Sequence, residues 1–154
     1  MEEYERIIEA AQGYSELGML PEALAELNSL EPAARSRPDV LELRILILMQ
    51  AKKWRTALSV SRKLCDCRPM NTIGFIHTAF CLHELGRSNE AKSVLLSGPA
   101  ELIDEPTYHY NLACYECVLG NLETAQAHLE TSIFLDKNLR HFAKHDPDLK
   151  ALNP

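Results

Sequence analysis

The sequence predicts an all-α protein built from antiparallel helix pairs that stack in series, and three observations carry the prediction. First, Ala23, Ala57, Ala91 and Ala125 lie 34 residues apart each time. Second, Gly18, Gly86 and Gly120 fall on the same grid five residues before their alanines, with Lys52 as the fourth member. Third, apolar residues recur at helical spacing on both sides of each glycine position. A fixed period of this size marks stacked helix pairs. Each pair buries its apolar face only by stacking on its neighbours, which leaves an open concave surface.

The grid divides the chain into units 4–37, 38–71, 72–105 and 106–139, followed by a tail, 140–154. In unit one, Ile7, Ala10, Ala11 and Tyr14 form the first stripe, and Leu17-Gly18-Met19-Leu20 the turn. Pro21 suits the first position of the next helix, where its missing N–H costs nothing. Ala23, Leu24, Leu27 and Leu30 give the second stripe, and Pro32 and Pro38 bracket the exit. Unit two repeats this with Leu41, Arg44, Ile45 and Leu48, a turn at Ala51-Lys52-Lys53-Trp54, then Ala57, Leu58, Ser61 and Leu64 before Pro69. Unit three has Phe75, Thr78, Ala79 and Leu82, a turn at Leu85-Gly86-Arg87, and Ser88 as the expected N-cap of its second helix. Gly98-Pro99 stops that helix early, so residues 97–105 are expected to be an irregular or short-turn connection. Unit four runs from Pro106 through Leu112 and Ala113 to the turn Leu119-Gly120-Asn121-Leu122, then Ala125, Leu129 and Ile133. Glycine at the end of each first helix can take the left-handed conformation that caps it. Lys52 in that place should cost some stability but not the fold.

These residues resemble tetratricopeptide repeats over nearly the whole chain. Unit one offers Ala11, Tyr14, Gly18, Glu22-Ala23 and Leu27 at the signature positions. Unit three offers Ala79, Leu82, Gly86, Glu90-Ala91 and Leu95; unit four offers Leu112, Ala113, Gly120, Thr124-Ala125 and Leu129. Unit two is the weakest, with Ile45 and Lys52, although Trp54, Ala57 and Pro69 fit. The tail, Leu139 to Leu149, resembles the capping segment that closes many bacterial arrays, with Phe142 and Leu149 expected to pack on the fourth unit. The resemblance implies a single domain, 1–154, of four repeats and a cap in a right-handed superhelix.

It also implies that the first helix of each unit lines a concave groove. The groove positions would be Glu5, Ile8, Gln12 and Ser15; Asp39, Glu42, Leu46 and Met49; Ile73, Ile76, Phe80 and His83; and Thr107, Tyr110, Cys114 and Cys117. The first unit is polar there. Leu46, Met49, Ile73, Ile76, Phe80, Tyr110 and Val118 make the later units apolar, a chemistry suited to a partner's helix or extended peptide. The expected partner-contacting residues are Leu46, Met49, Ile73, Ile76, Phe80, His83, Tyr110 and Cys114. The alternative is that these side chains pack against neighbouring helices or the chain's own C-terminal tail. Members of the family that grip chaperone C-termini hold carboxylates with paired cations. Here the comparable positions are Ile8, Gln12, Ile73 and His77, which argues against such a clamp.

Other chemistry is sparse. Five cysteines without an export signal favour free thiols over a disulfide framework. Cys114-Tyr115-Glu116-Cys117 is a C-x-x-C, but it lies well inside a helix, where the dipole gives a thiolate little help. A zinc site would need two further ligands, with His83 and Cys81 as candidates. His141 and His145 share a helical face and could meet a metal with Asp146, although an exposed cap helix explains them more simply. No glycine-rich phosphate loop, nucleophile elbow or H-E-x-x-H is present. The reading is therefore non-catalytic, with no cofactor and no metal.

The net charge of -6 is segregated: residues 1–34 carry -7, residues 35–68 carry +6 and residues 69–154 carry -5. These blocks could steer a charged partner or bias head-to-tail self-association, or simply be solvated outer faces. The basic cluster Lys52, Lys53, Arg55, Arg62, Lys63 and Arg68 could meet nucleic acid. The acidic total and the lack of interleaved surface aromatics argue against that. No apolar run is long enough to span a membrane, and the acidic N-terminus lacks a secretory signal, so the cytoplasm is the expected compartment. The expected function is an adaptor or scaffold that binds a protein or peptide. A small secretion-type chaperone and a self-assembling structural module are the alternatives.

Overall fold

The structure is a computed structural model that describes residues 2–153. Met1 and Pro154, the last residue of the expected cap, lie outside the described residues. All regular elements among the described residues are helical. The chain divides into two compact units, 1–69 and 70–154.

The first unit contains α1 (Glu3–Glu16), α2 (Leu20–Asn28), a one-turn α3 (Pro32–Arg35), α4 (Pro38–Gln50) and α5 (Trp54–Cys67). Helices α1 and α2 form one pair, α4 and α5 the next, and α4 also packs on α2. Ile7 and Ala11 of α1, Ala23 and Leu27 of α2, Leu30, and Val40 and Ile47 of α4 form one buried cluster. The second unit contains α6 (Thr72–Glu84), α7 (Ser88–Leu96), a 3₁₀ turn (Ala100–Asp104), α8 (Pro106–Val118), α9 (Leu122–Leu135), α10 (Leu139–His145) and a closing 3₁₀ segment (Pro147–Leu152). Here α6 pairs with α7, α8 with α9, and α8 packs on α7.

All four hairpins close in the same way. The residue on the glycine grid has positive φ: 74° at Gly18, 57° at Lys52, 78° at Gly86 and 87° at Gly120. Two backbone bonds then satisfy the carbonyls left open at the helix end, the arrangement known as a Schellman motif. In the first hairpin Gly18 N donates to Ser15 O (3.0 Å) and Met19 N to Tyr14 O (2.8 Å). The hairpin at Lys52 has the same pair, Lys52 N to Met49 O and Lys53 N to Leu48 O, both 2.9 Å. The residue after the grid position then opens the next helix. Its carbonyl accepts from the grid alanine: Ala23 N to Met19 O, Ala57 N to Lys53 O, Ala91 N to Arg87 O and Ala125 N to Asn121 O. All four alanines have no accessible surface. They sit one turn past the hairpin, where the two helices of a pair are closest.

Several local expectations are corrected. Ser88 is not an N-cap: Arg87 holds that position, and Ser88 is the first helical residue, its Oγ bonded to His83 Nδ1 at 2.8 Å. Pro21 is the second residue of α2, not the first. Residues 32–35 form a helical turn, because Pro32 pre-sets φ at its first position. Phe142 does not pack inward and is 62% exposed, whereas Leu149 is completely buried. The 97–105 connection is as expected: α7 stops at Leu96 and a 3₁₀ turn follows Pro99.

Left-handed backbone costs a residue with a Cβ about 1 kcal/mol relative to glycine. Lys52→Gly should therefore stabilise the protein by about that amount, and Gly86→Ala should lose a similar amount. Urea unfolding with unchanged m-value checks both.

Candidate functional site

In the first unit, the expected groove positions divide into two kinds. Some tie α1 to α4. Tyr4 Oη donates to Asp39 Oδ2, and burial together with that bond pushes the Tyr4 phenol up to about 12. The Arg37 guanidinium lies 4.3 Å from the Tyr4 ring centroid and bonds Asp39 Oδ1 at 3.3 Å. Ser15 Oγ donates to Gln50 Oε1, and Gln50 Nε2 returns a bond to Ser15 O, both at 3.1 Å. The others stay open: Leu46 is 51% exposed and Met49 half-buried. Leu46 lies one residue from buried Ile45 and Ile47, so α4 is packed on either side of it.

In the second unit, Ile73, Ile76 and Phe80 lie along α6 at spacings of three and four. Asn71 fixes the start of the helix by accepting from Ile73 N at 2.8 Å. Ile73 is 39% exposed, and Ile76 and Phe80 are half-buried. Burial also pushes the pKa of neighbouring His77 down.

The remaining three expected contacts, His83, Tyr110 and Cys114, meet the chain's own tail. After α10, Asp146 caps the closing 3₁₀ segment, its Oδ1 accepting from Asp148 N at 3.0 Å. Its Oδ2 accepts from Tyr110 Oη at 2.7 Å and from Cys114 Sγ at 3.7 Å. Asp148 Oδ2 lies 2.7 Å from His83 Nε2. A carboxylate only accepts, so Nε2 carries the proton. In the neutral ring, Nδ1 then accepts from Ser88 Oγ. The His83 ring also rests on Tyr115, with centroids 4.7 Å apart. Of the two readings open from sequence, packing against the tail describes these three residues.

This arrangement bears on reactivity. Burial, then the charges of Asp146 and Asp148, push the Cys114 thiol far up. Burial raises Cys117 as well. Both thiols are held in the protonated form, which is the wrong state for a redox C-x-x-C. Cys114 Sγ and the carboxylates of Asp146 and Asp148 have ligand atoms within 4.8 Å of one another, a set that could hold a metal. His141 and His145 have ring centroids 5.1 Å apart, but the Oδ2 of Asp146 is turned to Tyr110 and Cys114.

Sequence reasoning missed two anchors. Glu116 is buried on α8 and paired with Lys92 of α7 at 2.8 Å, with Asn121 Nδ2 at 3.2 Å. The second is Asp148, which meets His83 across 65 residues of sequence. The available signal was Asp146-Pro147, an N-capping residue followed by a proline suited to the first position.

No family model matches the chain, and no curated protein matches it. Among solved structures, the fold is similar to that of MamA. MamA residues 41 to the end from Desulfovibrio magneticus RS-1 superposes with a TM-score of 0.79 at 18% identity, covering 94% of this chain and 82% of that one. MamA of MSR-1 gives 0.73 at 21% identity, covering 88% and 78%. The chain thus has the helix-pair repeat fold that MamA, a tetratricopeptide-like protein, displays.

Asp146→Ala removes the cap of the closing segment and the acceptor of Tyr110. The expected outcome is faster labelling of Cys114 by a thiol reagent, about tenfold or more, in a protein of unchanged helicity. Mass spectrometry of the labelled peptide reads this directly. Wild-type labelling rates in the variant would show that the tail does not shield the thiol.

Proposed function

We propose that this chain is a non-catalytic protein-interaction module that binds a peptide or helix of a partner on the exposed faces of its first helices. The helix-pair repeat fold shared with MamA supports an interaction or scaffold role. The observation that carries the reading is the state of Ile73, Ile76 and Phe80. They form an apolar stripe on one helix, and none of them is fully buried although the helix is packed. Leu46 and Met49 repeat the pattern on α4. Helix-in-groove recognition reads such i, i+3, i+4, i+7 positions as its anchors.

His83, Tyr110 and Cys114 differ from these five in that their polar atoms are already taken up by Asp146 and Asp148. We take the partner-contacting residues to be Leu46 and Met49 in the first unit, and Ile73, Ile76 and Phe80 in the second. The other three hold the closing segment in place. Among the described residues, no helix is long and apolar enough to cross a membrane.

Phe80→Asp should abolish capture of the partner from native extract while the protein stays helical and monodisperse. Affinity capture with mass spectrometry, beside circular dichroism, checks this. The same retained set for both proteins would overturn the assignment. Loss of helicity in Phe80→Asp would place Phe80 in the core, and Ile73→Asp, at a more exposed position, would then carry the test.

A further inference from the structure

A cavity of about 790 Å³ lies in the second unit between α9, α10 and the end of the closing segment. Its wall on α9 is formed by Gln126, Leu129, Glu130, Ile133 and Phe134, at helical spacings of three and four. That is one helical face about 12 Å long. The floor is apolar, with Ile133, Phe134 and Leu152, and Phe134 is 84% exposed.

The geometry calls for a helix. In both units the second helix of one pair supports the first helix of the next: α4 packs on α2 and α8 on α7. These supported helices have 13 residues each. Helix α9 is a second helix of the same kind, but the element after it, α10, has 7 residues. The stripe of α9 is left partly uncovered along the length that another helix would fill.

The charge specifies which helix. Lys137, Arg140 and Lys144 rim the groove and are all exposed. They are three of the six basic residues in 69–154, a segment of net charge -5. None of them takes part in an ion pair among the described residues. The one acidic lining residue, Glu130, accepts from Gln126 Nε2 at 3.1 Å.

We propose that the groove between α9 and α10 docks an acidic amphipathic helix of a partner protein. Its apolar face would cover Ile133, Phe134 and Leu152, and its carboxylates would meet Lys137, Arg140 and Lys144. Its residues are distinct from those of the α4 and α6 faces, so it gives the module a second point of attachment.

The test uses two labelled amphipathic peptides with leucine at i, i+3, i+4 and i+7. One carries glutamate on its polar face, the other lysine. Fluorescence anisotropy with the whole chain should show binding of the glutamate peptide, weakened by salt, and none of the lysine peptide. Phe134→Asp should weaken binding about tenfold or more. The double variant Arg140→Glu, Lys144→Glu should reverse the preference between the peptides. Both substitutions are at exposed positions, and the double variant carries the test alone if Phe134→Asp does not fold. Phe80→Asp should leave this binding unchanged, which separates its failure from that of the α6 face. Equal binding of both peptides, binding of neither, or unaltered binding by folded Phe134→Asp would overturn the proposal. A rise in solution mass that Phe134→Asp abolishes would also overturn it, by assigning the groove to a second copy of this chain.

Discussion

A helix pair can form only if the chain reverses direction within a few residues and leaves no carbonyl stranded at the bend. That constraint organises this molecule. A left-handed residue turns the chain, two backbone bonds close the end of the first helix, and the next carbonyl starts the second helix. The same sequence of bonds, spanning ten residues, occurs at all four hairpins. With the backbones brought so close, only a small side chain fits one turn later, and alanine is found there each time. Packing density then fixes the rest: the leucines and isoleucines of each pair fill the remaining space around these contacts.

The hairpins were legible because their requirements are local and severe. Glycine and alanine are demanded by backbone geometry, so they recur at fixed spacing and show the period even where other positions drift. The apolar stripes gave the buried faces for the same reason. What escaped the sequence depends on encounters between distant residues. Nothing local to Tyr110, His83 or Cys114 announces that Asp146 and Asp148, some 30 to 65 residues on, will lie against them. Apolar spacing showed that a face exists, but not which segment of the chain would cover it. Ser88 is the same lesson at short range: a good capping residue found a better use for its hydroxyl in the histidine five residues earlier.

The buried and half-buried carboxylates Glu116, Asp146 and Asp148 of the second unit follow one rule. Where charge is taken out of water, it is given a partner. Glu116 has Lys92 and Asn121; Asp146 has a tyrosine hydroxyl and a backbone N–H; Asp148 has a histidine. The contacts of Asp146 and Asp148 fix the closing segment in one register, which apolar packing of Leu149 alone would not do. The cations at the α9 and α10 groove stand outside this rule, exposed and unpaired beside an exposed aromatic ring, which is why that surface differs from the remainder of the unit.

Lys52 gives the hairpin of α4 and α5 a kinetic character of its own. The other three turns are built on residues that lose nothing by entering left-handed backbone, whereas Lys52 relaxes whenever its turn opens. Local opening of the chain is therefore easier at this bend than at its counterparts, if their packing is equal. In a protein whose contacts are mostly between neighbouring helices, such a bend is a natural first point of fraying, and hydrogen exchange would register it as a soft spot midway between two firmer ones.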